Sequence, residues 1–211
     1  MKSLEDIISK SLRNKREKKE QKSWYASSLG SCLRGQYFQR LGIEPDKEIT
    51  DRELRIFSVG NQMEDWLIGL LEGKKIETQQ RLYSEKWNIS GRPDLVMDGR
   101  VYEIKTKHSR AFWYMQKEGK PMHQHELQLW FYLKMLDLPE GNIVYLSKDD
   151  LSIAEFVVKK DNKQLEEEVV KELTLLNKAW ENKDPSILPL PKSTEWQSKY
   201  CKYHKTHCLK V

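Results

Sequence analysis

Glycine and proline are scarce, at 10 and 7 residues of 211, and nowhere does the sequence stay apolar long enough to span a bilayer. The first shortage argues against a low-complexity chain, and the second gives the expectation of a soluble protein with no membrane partner. The opening Met-Lys-Ser-Leu-Glu-Asp lacks the apolar stretch of a secretory signal, so the cytoplasm of a cell or of an infected host is the expected compartment. No internal repeat occurs. Cysteine numbers only three, an odd count that cannot close into disulfides. Without an export signal such thiols are expected to be reduced, either inert or bound to metal.

What is present is charge. Charged residues make up 33% and hydrophobic residues 38%, the balance of one strongly solvated domain with appendages, long enough to bury a core. The net charge of +5 is modest and permits a nucleic-acid partner without requiring one. Much of the excess lies in 10–22 and 192–210.

Apolar Leu4, Ile7, Ile8 and Leu12 predict a helix over 4–22 with a charged end. Ser28 is read as the cap of a second helix ending near Gly42, with Cys32 near its start and Arg34 and Tyr37 following. Thr50 and Glu53 form a capping box for a helix over 50–72 that carries Gly60 and Glu64. Strands are predicted over 76–83, 87–96 and 101–106, then helices over 109–117 and 122–136. On the last of these His125, Gln128 and Tyr132 share one face. Strands over 142–146 and 153–158 close the sheet, and a helix over 165–180 leads into a linker spaced by Pro185, Pro189 and Pro191.

The dipeptide Asp98-Gly99 favours the positive φ angles of a two-residue type I′ turn and is flanked by alternating β-formers, which predicts a hairpin. Pairing outward sets Met97 opposite Arg100, Val96 opposite Val101, Leu95 opposite Tyr102 and Asp94 opposite Glu103. Lys105, two residues on, shares the face of Glu103. Opposed carboxylates roughly 4.5 to 5.5 Å apart at Cβ repel each other, and a divalent cation removes the conflict. Hard oxygen donors this close suit Mg²⁺ or Mn²⁺. The Lys105 ammonium can reach an attacking water or charge building on phosphorus oxygens. In the tail, Cys201-x2-His204-x3-Cys208 is a plausible run of three metal ligands, with Cys32 as the fourth from the far end of the chain. The plainer alternative there is free thiols beside surface histidines.

Pro93, Asp94, Glu103 and Lys105 coincide with the signature of the PD-(D/E)xK nuclease superfamily. The order of features over about Ser28 to Cys208 resembles its RecB-like branch, especially the iron-sulfur exonucleases of CRISPR adaptation and their viral relatives. Ser28, Cys32, Arg34 and Tyr37 match an early Ser-x3-Cys element with basic and aromatic residues after it. Gly60, Asp94, Glu103, Lys105, Gln128 and Tyr132 match the core motifs in order. Glu64 stands where the family often has a metal-binding His, and only Cys201 and Cys208 remain of three C-terminal cysteines. Ser198 occupies a place where the first could fall, and His204 is the obvious substitute.

The resemblance implies an α/β fold, a restriction-endonuclease-like mixed central sheet flanked by helices, with N- and C-terminal segments joined at a Cys/His metal site. It divides the chain into a lead-in (1–27), a nuclease core with a helical insertion (28–182) and a tail packing back on Cys32 (183–211). It further implies Asp94, Glu103, Lys105, Gln128 and Tyr132 as catalytic residues, and Mg²⁺ or Mn²⁺ on Glu64, Asp94, Glu103 and the Ile104 carbonyl. A 4Fe-4S cluster, or Zn²⁺ as the alternative, falls to Cys32, Cys201, His204 and Cys208. Arg34, Tyr37, Trp113 and Tyr114 are the expected substrate contacts, with Trp130 a further stacking candidate. The implied activity is a metal-dependent deoxyribonuclease, an exonuclease favouring single strands or DNA ends in viral DNA processing, recombination and repair, or CRISPR adaptation. No Walker loop or helicase motif is present, so any unwinding falls to a helicase or recombination partner. The competing readings are a catalytically silent nucleic-acid-binding module and a structural subunit of a repair complex.

Overall fold

The chain changes sheets at Pro93. In the computed structural model, which describes residues 3–15, 20–71, 76–78, 80–190 and 201–208, the strands fall into two mixed sheets. The smaller sheet holds β1 (Trp24–Tyr25), β3 (Leu82–Ser84) and β4 (Ile89–Gly91) in the order β1-β4-β3. The larger holds β2 (Ile76–Thr78), β5 (Leu95–Met97), β6 (Arg100–Lys107), β7 (Glu140–Ser147) and β8 (Ile153–Lys159) in the order β2-β5-β6-β7-β8. Only β6 and β7 run parallel within it, with Glu103 beside Ile143 and Lys105 beside Tyr145.

This corrects the expectation of a single central sheet. The strands expected over 76–83 and 87–96 are each split, and the halves join different sheets. A proline offers no N–H to a ladder, so pairing cannot continue through Pro93, and Arg92-Pro93-Asp94 becomes the bridge between sheets. That break sets Asp94 immediately before β5.

Six helices are present among the described residues. They are α1 (Leu4–Asn14), α2 (Leu33–Arg40), α3 (Asp51–Gly69), α4 (Ser109–Glu118), α5 (His123–Leu136) and α6 (Lys163–Asn182). The capping box of α3 forms as read, with Thr50 Oγ1 accepting from Glu53 N at 3.2 Å and Glu53 Oε2 accepting from Thr50 N at 2.8 Å. Ser28 does not cap α2. It ends a 3₁₀ turn, Ala26–Ser28, and Cys32 takes the N-cap position. The expected helical run through 16–19, the helix end at 72, Pro191 and Ser198 lie outside the described residues.

Helix α5 lies between the larger sheet and α6, and most of its residues from His125 to Leu133 are buried. Leu127, Leu129, Trp130, Phe131 and Leu133 are buried on it, against Ile143 and Tyr145 of β7 and Leu165, Val169, Leu173 and Leu176 of α6. A second cluster on the opposite sheet face joins Leu95, Ile104 and Val144 to Leu67 and Ile68 at the end of α3 and Leu71 just beyond it. Each such side chain contributes roughly 1.5–3 kcal/mol on burial. Two helices therefore clamp β6 from opposite faces. Among the described residues no helix is long and apolar enough to cross a membrane.

Gly91, in the last position of β4, has no room for a side chain. A Cβ there would stand 2.5 Å from Tyr132 Cε1 and 2.8 Å from Ala26 Cβ. Both neighbours are buried, so neither can move aside. Gly91→Ala is expected to destabilise the fold by about 1–3 kcal/mol and to displace Tyr132. Urea unfolding measures the first effect; a midpoint equal to wild type would show that the ring has space to yield.

Candidate active site

The turn at Asp98 and Gly99 has φ values of 51° and 75°, the left-handed pair that type I′ demands. Its strands pair Leu95 with Tyr102, Val96 with Val101 and Met97 with Arg100, the register read from the sequence. β5 begins at Leu95, so beyond Tyr102 the β5-facing edge of β6 has no strand beside it among the described residues. Asp94 fills the opening: its Oδ2 accepts the Ile104 N–H at 2.7 Å. In an extended strand a residue's carbonyl leaves on the same edge as its amide, so the Ile104 carbonyl faces this opening too.

Strand alternation sorts the rest. Glu103 faces α5, where Gln128 Nε2 donates to its Oε1 at 2.7 Å and Lys105 Nζ donates to the same oxygen. Gln128 Nε2 also donates to the Tyr132 hydroxyl at 3.0 Å, and that hydroxyl accepts from Arg92 N and donates to Arg92 O, both at 3.3 Å. The line Glu103–Gln128–Tyr132–Arg92 thus ties the hairpin to the bridge between sheets. Glu64 reaches in from α3 to where the Asp94 charge acts on its carboxyl.

Burial and mutual repulsion set the electrostatics. Glu103 is 1% exposed. Burial pushes its carboxyl up to about 8, opposed by Lys105 and helped by Asp94. Burial and then the Asp94 charge bring Glu64 to about 7. Asp94 is also raised, by burial, with Lys105 and the Ile104 amide pulling the other way. For Lys105 burial favours the neutral form, but Glu103 and Asp94 outweigh it and hold the ammonium above its ordinary value. Burial pushes the Tyr132 hydroxyl far up, so it stays neutral and serves to position its neighbours.

Among the described residues Glu103 Oε2 is buried with no hydrogen-bond partner. An orphaned carboxylate oxygen among three acids and a backbone carbonyl is a donor set of the hard-oxygen kind that suits a divalent cation. Among the described residues, however, no three His, Cys, Asp or Glu side chains are drawn together tightly enough to hold a metal ion as they lie.

A second cluster gathers the chain's two ends. Cys32, at the N-cap of α2, lies beside Cys201, and that neighbour, against burial and with help from the Gly35 backbone, lowers its thiol to about 7. A Cβ on Gly35 would stand 3.6 Å from Cys201 Sγ and 3.9 Å from Cys32 Sγ. Burial raises the Cys208 thiol, and the neighbouring Cys201 charge adds to it. His204 begins a π-helical turn, His204–Cys208, and its Nδ1 is buried without a partner among the described residues. His207 is otherwise engaged, its ring 4.7 Å from that of Phe38. Asp46 Oδ2 anchors the turn by accepting from Lys205 N at 2.9 Å and Thr206 N at 3.2 Å.

Three expected substrate contacts need correction. Arg34 is buried and its guanidinium donates to the Leu188 carbonyl at 3.0 Å and the Ser186 carbonyl at 3.4 Å, so it fastens the segment after α6. Tyr37 is buried edge-on against Phe38 and Trp180. Trp130 is fully buried and donates to the Lys160 carbonyl at 3.0 Å. Both aromatics serve the core. Trp113 and Tyr114 are different, 52% and 49% exposed on α4 and edge-to-face at 5.0 Å. Lys117 lies 5.1 Å over the Trp113 ring. Two contributors escaped the sequence reading: Gly91, which gives Tyr132 its place, and the Arg92 backbone, which holds the hydroxyl. The Ser-Gly-Arg-Pro-Asp string contains both, but only the packing shows why a glycine stands there.

No family model matches this chain, and no curated protein sequence matches it. Solved structures do. The protein SSO0001 aligns over 95% of this chain and 93% of its own, with a TM-score of 0.62 and 23% identity. The alkaline exonuclease LHK-Exo of Laribacter hongkongensis aligns over 77% of this chain and 92% of its own, with a TM-score of 0.57 and 16% identity. The same exonuclease in complex with dAMP aligns over 76% of this chain and 92% of its own, at 0.56 and 18%. The chain therefore has the α/β fold found in SSO0001 and in LHK-Exo.

Proposed function

We propose that this chain is a metal-dependent deoxyribonuclease, an exonuclease acting on single strands or DNA ends. The carrying observation is the buried Glu103 with its orphaned oxygen, set beside Asp94, Glu64 and Lys105 at the open edge of β6. Glu64, Asp94, Glu103 and the Ile104 carbonyl would hold Mg²⁺ or Mn²⁺. Such an ion polarises a scissile phosphate and lowers the pKa of a bound water.

The chain's own groups do the rest. Lys105 places an ammonium where negative charge develops on the phosphorus oxygens, and its contact with Glu103 fixes it there. Gln128 holds Glu103 by one carboxylate oxygen and leaves the other free. Tyr132, kept neutral by burial, fixes Gln128 in turn. Exposed Trp113 and Tyr114 offer faces for unpaired bases. Cys32, Cys201, His204 and Cys208 would take an iron-sulfur cluster or zinc in a bracing role, joining the ends of the chain away from the chemistry.

The direct test uses labelled single- and double-stranded DNA with Mn²⁺ or EDTA. Cleavage is expected with Mn²⁺, none with EDTA, and none in Asp94→Ala. Binding without cleavage by the wild type under every metal tried would replace the enzyme with a silent binding module.

A further inference from the structure

Beyond the three acids and Lys105, β6 presents one more charge on the same face. Successive side chains on one strand face lie about 6.6 Å apart, so Glu103, Lys105 and Lys107 form an evenly spaced row against α5. The environment of Lys107 is unusual for a lysine. Its Nζ rests 2.8 Å from the Met122 sulfur, a weak acceptor, and 5.9 Å from the Tyr145 ring centre. Among the described residues no carboxylate pairs with it. Asp149 and Asp150, which follow Lys148, are engaged by backbone: Asp149 Oδ2 accepts from Ser109 N at 2.6 Å, and Asp150 Oδ1 accepts from Ser152 N at 3.2 Å.

A second cation adjoins it. Lys148 N donates to the Lys107 carbonyl at 2.7 Å, and the Lys148 ammonium is held over the Ile56 carbonyl at 3.2 Å. Burial, then Lys105, then Lys148 lower the pKa of Lys107. A sequence serving stability alone would pair such a charge or replace it. Positive charge kept unpaired beside a phosphodiester site is what an incoming anion would neutralise.

We propose that Lys107 is a substrate-binding residue that grips the backbone phosphate next to the scissile one, with Lys148 extending the same track. This rests on the nuclease reading. The spacing of the row matches one phosphate repeat of an extended single strand, so a strand whose scissile phosphate lies at Lys105 carries its neighbour to Lys107. From there the strand meets the start of α4, where Arg110, Trp113 and Tyr114 lie near the surface.

The test compares Lys107→Met and Lys107→Arg with wild type on a labelled single-stranded oligonucleotide. Binding is measured by anisotropy in an Asp94→Ala background, so that cleavage does not intervene, and kinetics are measured in the active protein. Lys107→Met is expected to raise KM about tenfold with a smaller change in kcat, the pattern of lost uniform binding. Its plot of log affinity against log salt should be shallower by about 0.7, one single-strand phosphate, and Lys107→Arg should restore most of the slope. Removal of an unpaired, half-buried charge should leave the melting temperature equal or higher, so weak binding with a raised melting point excludes misfolding as the cause. Lys107→Gln serves the same comparison if the methionine variant does not fold. Wild-type KM and salt slope in both neutral variants would overturn the assignment. A wild type that neither binds nor cuts DNA would instead sink the nuclease reading beneath it.

Discussion

Glu103→Gln is expected to reduce DNA cleavage by roughly a thousandfold and, in metal-free buffer, to raise the melting temperature above pH 8. The two effects share one cause. Glu103 is buried and orphaned at one oxygen, so its charge is useful to a bound cation and costly without one. The sign follows from linkage. In the folded protein the carboxyl titrates near 8, above its value of about 4.3 in an unfolded chain. Its contribution to stability is therefore fully present below the ordinary carboxylate range and is lost as pH rises through 8. Glutamine does not ionise, so the variant gains on wild type between about pH 4.5 and 8. Above that the gap should be at most on the order of 5 kcal/mol, or roughly 10–20 °C. Thermal melts in EDTA across that range check it, and a wild-type curve that climbs with pH relative to the variant would reverse the argument. Added Mg²⁺ or Mn²⁺ should invert the order, stabilising wild type and leaving Glu103→Gln little changed.

Cys32→Ala is expected to lower the melting temperature by about 10 °C, and chelation of the wild type should have the same effect. The reason lies in what the second cluster connects. Cys32 sits at the start of α2 while Cys201, His204 and Cys208 belong to the last described segment, so a shared metal would close nearly the whole chain into one loop. The low pKa of Cys32 provides one ready thiolate, and the buried His204 Nδ1, without a partner among the described residues, is a nitrogen placed to take a ligand. Visible absorbance separates an iron-sulfur cluster from zinc. Identical melting of wild type, chelated wild type and Cys32→Ala would reduce the cluster to inert thiols. Such a result would leave the cleavage prediction for Glu103→Gln untouched, because the two clusters share no residue.

The hairpin was the most legible part of the molecule. Asp98-Gly99 dictates its own backbone angles, and a two-residue turn fixes the register of everything paired outward from it. The capping box at Thr50 and the shared face of Gln128 and Tyr132 were legible for the same reason, since each involves residues within one helical turn. The roles of Arg34 and Tyr37 were not. A basic and an aromatic residue after a cysteine fit a ligand surface and a core position equally well, and only the return of the segment after α6 buries them.

By itself the sequence determined the local geometry: where the chain reverses, which helices start, and that Glu103 and Lys105 share a strand face. Those are properties of a few consecutive dihedral angles and need no distant partner. Tertiary structure decided that Pro93 ends one sheet and begins another, that Glu64 arrives from α3, and that Gly91 makes room for Tyr132. It also decided that Glu103 is dry enough for its carboxyl to titrate near 8. Desolvation and steric exclusion arise from atoms far apart in sequence, so no local pattern records them.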